Sequence, residues 1–163
     1  MIIFDEDIFD YDKEKMTVIG HGCNCLGAFA AGFAGLVAKK YPLAKVKYKQ
    51  YVESNTFPDF LAGSTNLVMV EKNLVIANMF TQILPGKHAK ISYIMKALDN
   101  LTTFFNKDVN IRIPMIGSGI GGLDPEDVLY NLLELVNVPD VYIRSADGHK
   151  ISDEIVQKHQ KFN

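Results

Sequence analysis

IRIPMIGSGIGGLDPEDVL, residues 111–129, holds a complete strand, turn and helix start in nineteen positions. Ile111 to Ile116 is a short apolar run of β character, and Gly117, Gly119, Gly121 and Gly122 follow it at once. Asp124 then stands where a helix N-cap belongs, Pro125 at the first helical position and Asp127 at the third, which predicts a helix over Pro125–Val136. The glycines therefore sit at the carboxyl end of a strand, where open α/β sheets hold their ligands. Carboxylates at the helix mouth repel an anion placed there. An anionic group belongs further upstream, against the amides of residues 117–122, in the manner of a backbone nest. No Gly-Lys-Ser/Thr follows, and GSGIGG lacks the G-x-G-x-x-G spacing, so neither a Walker loop nor a dinucleotide fingerprint is present.

The rest of the chain repeats the strand-then-helix alternation. MTVIGH (16–21) predicts a buried strand and runs into HGCNCLGAFAAGFAG (21–35), which holds both cysteines and four of the twelve glycines with no acid, lysine or arginine. A helix is predicted over Phe29–Tyr41, with Lys39 and Lys40 at its carbonyl end and Pro42 as its stop. A second helix follows over Leu43–Glu53. Residues 66–80 predict a hairpin whose second arm is buried on both faces. Ile91, Ile94, Met95, Leu98 and Leu101 recur at helical spacing, predicting a helix that starts near Lys87–Lys90 and runs to about Phe105. A strand at 140–144 and a helix from about Ser152 complete the pattern. It implies an α/β fold of three layers, helices on both faces of a mixed central sheet, in one domain over 1–163.

Composition sets the outer limits. The chain has 163 residues, 48% hydrophobic and 22% charged, with a formal net charge of −2. No global positive field exists to grip DNA or RNA, so a nucleic-acid partner is not expected. No apolar run reaches the roughly 18 to 20 residues that span a bilayer, and the acidic start MIIFDEDIFDYD is unlike a signal peptide; no membrane partner and a cytoplasmic location are expected. Two cysteines separated by one asparagine are poorly placed to pair with each other, so reduced thiols are the simpler reading. A cysteine phosphatase needs C-x₅-R, but Phe29 and Ala31 stand six residues after Cys23 and Cys25. A zinc site lacks ligands beyond His21, and burial as small apolar groups fits both thiols.

Two glycine-rich loops at two strand ends resemble the ligand loops of the macro domain family, the ADP-ribose-binding fold. HGCNCLGAFAAGFAGLVAKKYP is similar to the first loop and helix, in the branch of ADP-ribose 1″-phosphate phosphatases that carries His-x-Cys-Asn. PMIGSGIGGLD is similar to the phosphate-cradling second loop. The resemblance implies a three-layer α/β/α macro domain that binds an ADP-ribose derivative and removes the terminal phosphate of ADP-ribose 1″-phosphate, with no metal and no cofactor. It implies catalytic roles for His21, as proton donor or water-orienting group, and for Asn24, which fixes the distal ribose. Asp7 and Ile8 match the segment that receives the adenine. Gly22, Cys23, Ala31 and Gly32 in the first loop, and Ser118, Gly119, Ile120 and Gly121 in the second, are the further ligand-binding positions. Bland readings stand beside these: a capped loop for Asn24, a satisfied core group for His21, a solvated acidic turn for Asp7. The family's protein-adduct hydrolases need an acid near Ala34 or Gly121, and neither position has one. A non-catalytic ADP-ribose or ADP-ribosyl-protein binding module, or an ADP-ribosyl hydrolase, is the alternative. MIIFDEDIF also resembles the Asp-x-Asp start of haloacid-dehalogenase-type phosphatases, but Phe9 stands where threonine or valine is needed. Thr81, Gln82, Lys87 and His88 follow the hairpin's buried arm and carry no individual role at this level.

Overall fold

The computed structural model describes residues 1–29 and 31–161; Ala30, within the first loop, lies outside them. Six strands, β1 (Ile2–Phe4), β2 (Thr17–Cys23), β3 (Thr65–Glu71), β4 (Leu74–Phe80), β5 (Asn110–Pro114) and β6 (Asp140–Ile143), form one mixed sheet in the order β1-β6-β5-β2-β4-β3. Parallel pairing joins β1 to β6, β6 to β5, β5 to β2 and β2 to β4, while β3 runs antiparallel along β4. The carboxyl ends of five strands therefore lie along one edge of the sheet.

Five helices cover the two faces: α1 (Gly32–Lys40), α2 (Pro42–Glu53), α3 (Ile91–Phe104), α4 (Pro125–Leu132) and α5 (Asp153–Gln160). Alternation along the strands separates two apolar layers. Val18, Val75, Ala77 and Met79 join Ile94, Leu98, Leu129 and Ile155 under α3, α4 and α5. Ile19, Cys23, Ile76 and Phe80 join Val37, Ala44 and Tyr48 under α1 and α2. All seven residues of β4 are buried, as expected of an inner strand covered on both faces. The three-layer α/β/α architecture with a mixed sheet is thus the observed one, and no helix among the described residues is long and apolar enough to cross a membrane.

Several elements differ from those expected. β1 is too short for periodicity to reveal and forms by pairing Ile2 with Val141 and Phe4 with Ile143. α1 begins at Gly32 rather than Phe29, because Phe29 is drawn into the core at 2% exposure. α3 begins at Ile91, since Ala89 and Lys90 donate their amides to Gly121 O and Thr81 O instead of to a helix. α4 stops at Leu132, where the amides of Leu133, Glu134 and Leu135 turn to carbonyls three residues back and Val136 projects into solvent.

The start of α4 is as the sequence indicates: the Asp124 carboxylate accepts the amides of Glu126 at 2.9 Å and Asp127 at 3.1 Å, with Pro125 between. This cap fixes where the second glycine loop ends. Replacing Asp124 by alanine is expected to lower the unfolding free energy by about 1 kcal/mol in chemical denaturation, the usual worth of an N-cap acceptor.

Candidate functional site

β2 lies between β5 and β4, all parallel, so the loops that leave these three strands emerge side by side. The loop after β2 and the loop after β5 touch: a side chain added at Gly32 meets Ile120 Cδ1 at 3.4 Å. The segment after β4 closes the third side, with Thr81 N bonded to Cys23 O at 3.0 Å and Ala89 N to Gly121 O at 3.3 Å. Asp7, after β1, belongs to the same edge and is exposed, with its Oδ1 accepting the Phe9 amide at 2.9 Å. Ile8 turns inward at 6% exposure, and its carbonyl accepts from Arg112 Nη1 at 3.1 Å.

In the second loop the amides of Gly122 and Leu123 close turns onto Gly119 O and Gly117 O. Those of Ser118, Gly119, Ile120 and Gly121 bond to nothing among the described residues. Beside them, α1 starts at Gly32 after Ala31, whose side chain makes no cap bond. N–H groups without a partner among the described residues, next to a helix's positive end at the carboxyl edge of the sheet, favour an anion. Gly121 leaves no room for a side chain: a Cβ there lies 2.7 Å from Gly117 O and 2.7 Å from Ala89 Cβ.

Asn24 organises the first loop. Its Oδ1 accepts the amides of Leu26 at 2.9 Å and Ala28 at 3.3 Å, and its Nδ2 donates to Ala28 O at 2.8 Å. Tyr48 Oη, rising from α2, donates to Asn24 O at 2.6 Å and lies 3.1 Å from Oδ1. Asn24 is 8% exposed, and the second hydrogen of its Nδ2 has no acceptor among the described residues. Gly22 is exposed, with the Thr81 hydroxyl 2.7 Å from where its Cβ would stand.

His21 lies beneath the first loop with its ring completely buried. It faces α1 and α2, with Phe29 edge-on at 5.2 Å and Phe33 tilted at 5.8 Å. Nε2 lies 2.7 Å from Oδ1 of Asn78, its register partner on β4. Asn78 Nδ2 donates to Ala44 O and Asn66 Oδ1, both at 3.2 Å. That orientation leaves Oδ1 for the imidazole, so Nε2 carries the proton and the ring is neutral. Burial pushes the pKa of His21 down to about 4, against a smaller upward pull from Asn78. The thiol of Cys23 lies 3.9 Å from the ring nitrogens; burial pushes its pKa well up, and that of Cys25 to about 11. Neither sulfur is a ready thiolate nucleophile.

An aromatic chain carries this packing outward. Phe9 stacks on Phe33 at 5.6 Å, and beyond His21 and Phe29 stand Tyr48 and Phe80. The first loop is thereby seated on a rigid base. Sequence reasoning passed over Asn78 and Tyr48. For Asn78 a signal existed, a lone amide in the otherwise apolar strand LVIANMF; for Tyr48 there was none, since tyrosine suits any amphipathic helix.

Because a buried neutral histidine binds its proton less well than an unfolded one, its stabilising effect is complete above about pH 6.5 and is lost as pH falls toward 4. The drop amounts to roughly 3 kcal/mol, from about 1.4 kcal/mol per pKa unit. In urea titrations from pH 7 to pH 4, His21→Gln is expected to lose less stability than the parent by about that amount.

No family model matches the sequence. Curated relatives do, among them two ADP-ribose 1″-phosphate phosphatases. That of Lodderomyces elongisporus is 30% identical over 138 residues, covering 74% of this chain and 83% of the relative. That of Candida albicans is 28% identical over 140 residues, covering 79% and 88%. Among solved structures, a macrodomain protein from Streptomyces coelicolor superposes with a TM-score of 0.71 at 23% identity, over 88% of this chain and 98% of that one. The loops, the strand order that joins them and these likenesses agree: the chain belongs to the macro domain family, in its ADP-ribose 1″-phosphate phosphatase branch.

Proposed function

We propose that this protein binds ADP-ribose and hydrolyses the terminal phosphate of ADP-ribose 1″-phosphate, giving ADP-ribose and inorganic phosphate. The observation that carries the reading is the set of four amides at Ser118–Gly121, without partners among the described residues, beside the start of α1 where Gly32 approaches Ile120. A diphosphate is the ligand group whose charge and length suit donors in these two adjoining loops. The adenine is received beside Asp7, and the distal ribose beside Asn24, whose remaining amide hydrogen reads a hydroxyl. Water attacks phosphorus, the bond from phosphorus to the C1″ oxygen breaks, and the two protons of water end on the departing sugar oxygen and on phosphate. Backbone dipoles fixed before the reaction stabilise the charge on the phosphoryl oxygens without reorganising.

His21 acts in this scheme as a positioning residue, holding Phe29 and Phe33 under the first loop. Metal chemistry is not required by this reading, and a cytoplasmic site of action agrees with the two unpaired thiols. The enclosure of His21 also supports a second reading, a binding module for ADP-ribose or its protein adducts, because it removes a proton donor from the cleft.

Phosphate release from ADP-ribose 1″-phosphate, measured beside calorimetric binding of ADP-ribose, separates the two. Turnover is expected, together with binding, and release of no phosphate at stoichiometric enzyme selects the binding module. Gly121→Ala is expected to cut kcat/KM by roughly a hundredfold, the scale of losing an oriented donor set, with the circular dichroism spectrum retained. His21→Gln should weaken ADP-ribose binding and slow turnover together, leaving the shape of the pH–rate profile unchanged; loss of one limb of that profile would restore His21 to proton transfer.

A further inference from the structure

Accepting that reading, the order of strand tips orders the ligand. Apart from the end of β6, which stands between the first two, the edge carries in order the loop after β1 with Asp7, the loop after β5 with Ser118–Gly121, the loop after β2 with Asn24, and the segment after β4. A ligand with its base at the first, its diphosphate between the second and third and its distal ribose at the third extends its far end toward the fourth. That segment, residues 81–90, carries Lys87, His88 and Lys90 and no acid, and all three are exposed. None of them forms an ion pair among the described residues.

Of the three, Lys87 is the one tied to the cleft. Its stem lies along the second loop: a Cβ at Gly122 would stand 3.0 Å from Lys87 Cβ, 3.1 Å from Cγ and 3.4 Å from Cδ. Gly122 has φ of 81°, so this close approach uses a conformation that disfavours other residues. The ammonium, two bonds beyond Cδ, is on an exposed residue of the segment after β4, the fourth tip in that order. The backbone beneath it is pinned by Ala89 N to Gly121 O and Lys90 N to Thr81 O. Lys90 instead lies with its Nζ 5.4 Å over the ring of Tyr93. The acids Asp124, Glu126 and Asp127 at the start of α4 make a counter-cation valuable here, since a doubly charged monoester adds to their negative field.

We infer that Lys87 is the specificity-determining cation for the terminal phosphate, the group by which the cleft prefers ADP-ribose 1″-phosphate to ADP-ribose. It acts as a point charge on a tethered stem, which arginine can replace and methionine cannot.

The test compares Lys87→Met and Lys87→Arg with the parent protein, using the Kd for ADP-ribose and kcat/KM for phosphate release from ADP-ribose 1″-phosphate. Methionine is expected to lower kcat/KM by roughly ten- to a hundredfold, the worth of a charge-assisted contact, and arginine to recover most of it. The ratio between the two ligands is the readout: it collapses in Lys87→Met because the loss falls on the phosphorylated ligand. Equal weakening of both ligands, or no change in either, overturns the inference. If the parent protein releases no phosphate, the hydrolytic reading fails separately, and direct binding still decides. A preference for the intact 1″-phosphate that vanishes in Lys87→Met supports the clamp, and the lack of any preference in the parent removes it.

Discussion

Parallel pairing of β2 with both its neighbours is the constraint on which the site depends. Parallel strands cannot be joined by short hairpins, so the chain passes through helices between β2 and β4, between β4 and β5 and between β5 and β6, and starts each of these strands again from the opposite edge. The five parallel strands therefore release their next loops at the same end, and the loops after β5, β2 and β4 meet without any side chain having to draw them together. What remains local is how near they come. Glycine at 32 and 121 lets backbone stand where a Cβ would meet Ile120, Ala89 or Gly117. The unpaired amides follow from this geometry, because a loop this tight has no room to satisfy its own donors.

A second layer of order comes from beneath. Within the buried α1–α2 layer His21 and Asn78 form a polar pair, one residue from each of two adjacent strands at the same register. Burying an imidazole and an amide is unfavourable unless their polar atoms are joined. Here the amide meets the imidazole with its oxygen and, with its nitrogen, Ala44 of α2 and Asn66 of β3. Such a pair admits one arrangement where an apolar pair admits several, and it fixes the ring against Phe29 and Phe33. The residues with the most reactive side chains in the first loop, His21, Cys23 and Cys25, are thus the ones its packing makes inert. The groups left to meet a ligand are largely backbone.

Charge is distributed to match. A net charge of −2 says nothing of the cleft, where acids gather at the start of α4 and cations on the segment after β4. Asp5 is held by Ser145, whose amide and hydroxyl both donate to its carboxylate and keep its pKa below the usual value. That contact ties the end of β1 to the end of β6, and Asp7, two residues on, is exposed at that corner with Glu6 and Asp10.

Much of this was open to reading from the chain alone. Asp124-Pro125 marks a helix start by local hydrogen bonding, Lys39-Lys40 before Pro42 marks an end, and the spacing of Ile91, Ile94, Leu98 and Leu101 marks a buried face; each signal lies within a few residues of what it determines. The alternation of such elements gave the layered α/β class, and two glycine loops at strand ends located the cleft. Strand order, the three-residue β1, the depth of His21, the reach of Tyr48 to Asn24 and the contact of Lys87 with Gly122 were decided only by tertiary structure. Those features depend on pairs of residues distant in sequence, and a side chain's type fixes its chemistry only after its surroundings have set whether water, charge or a ligand can reach it.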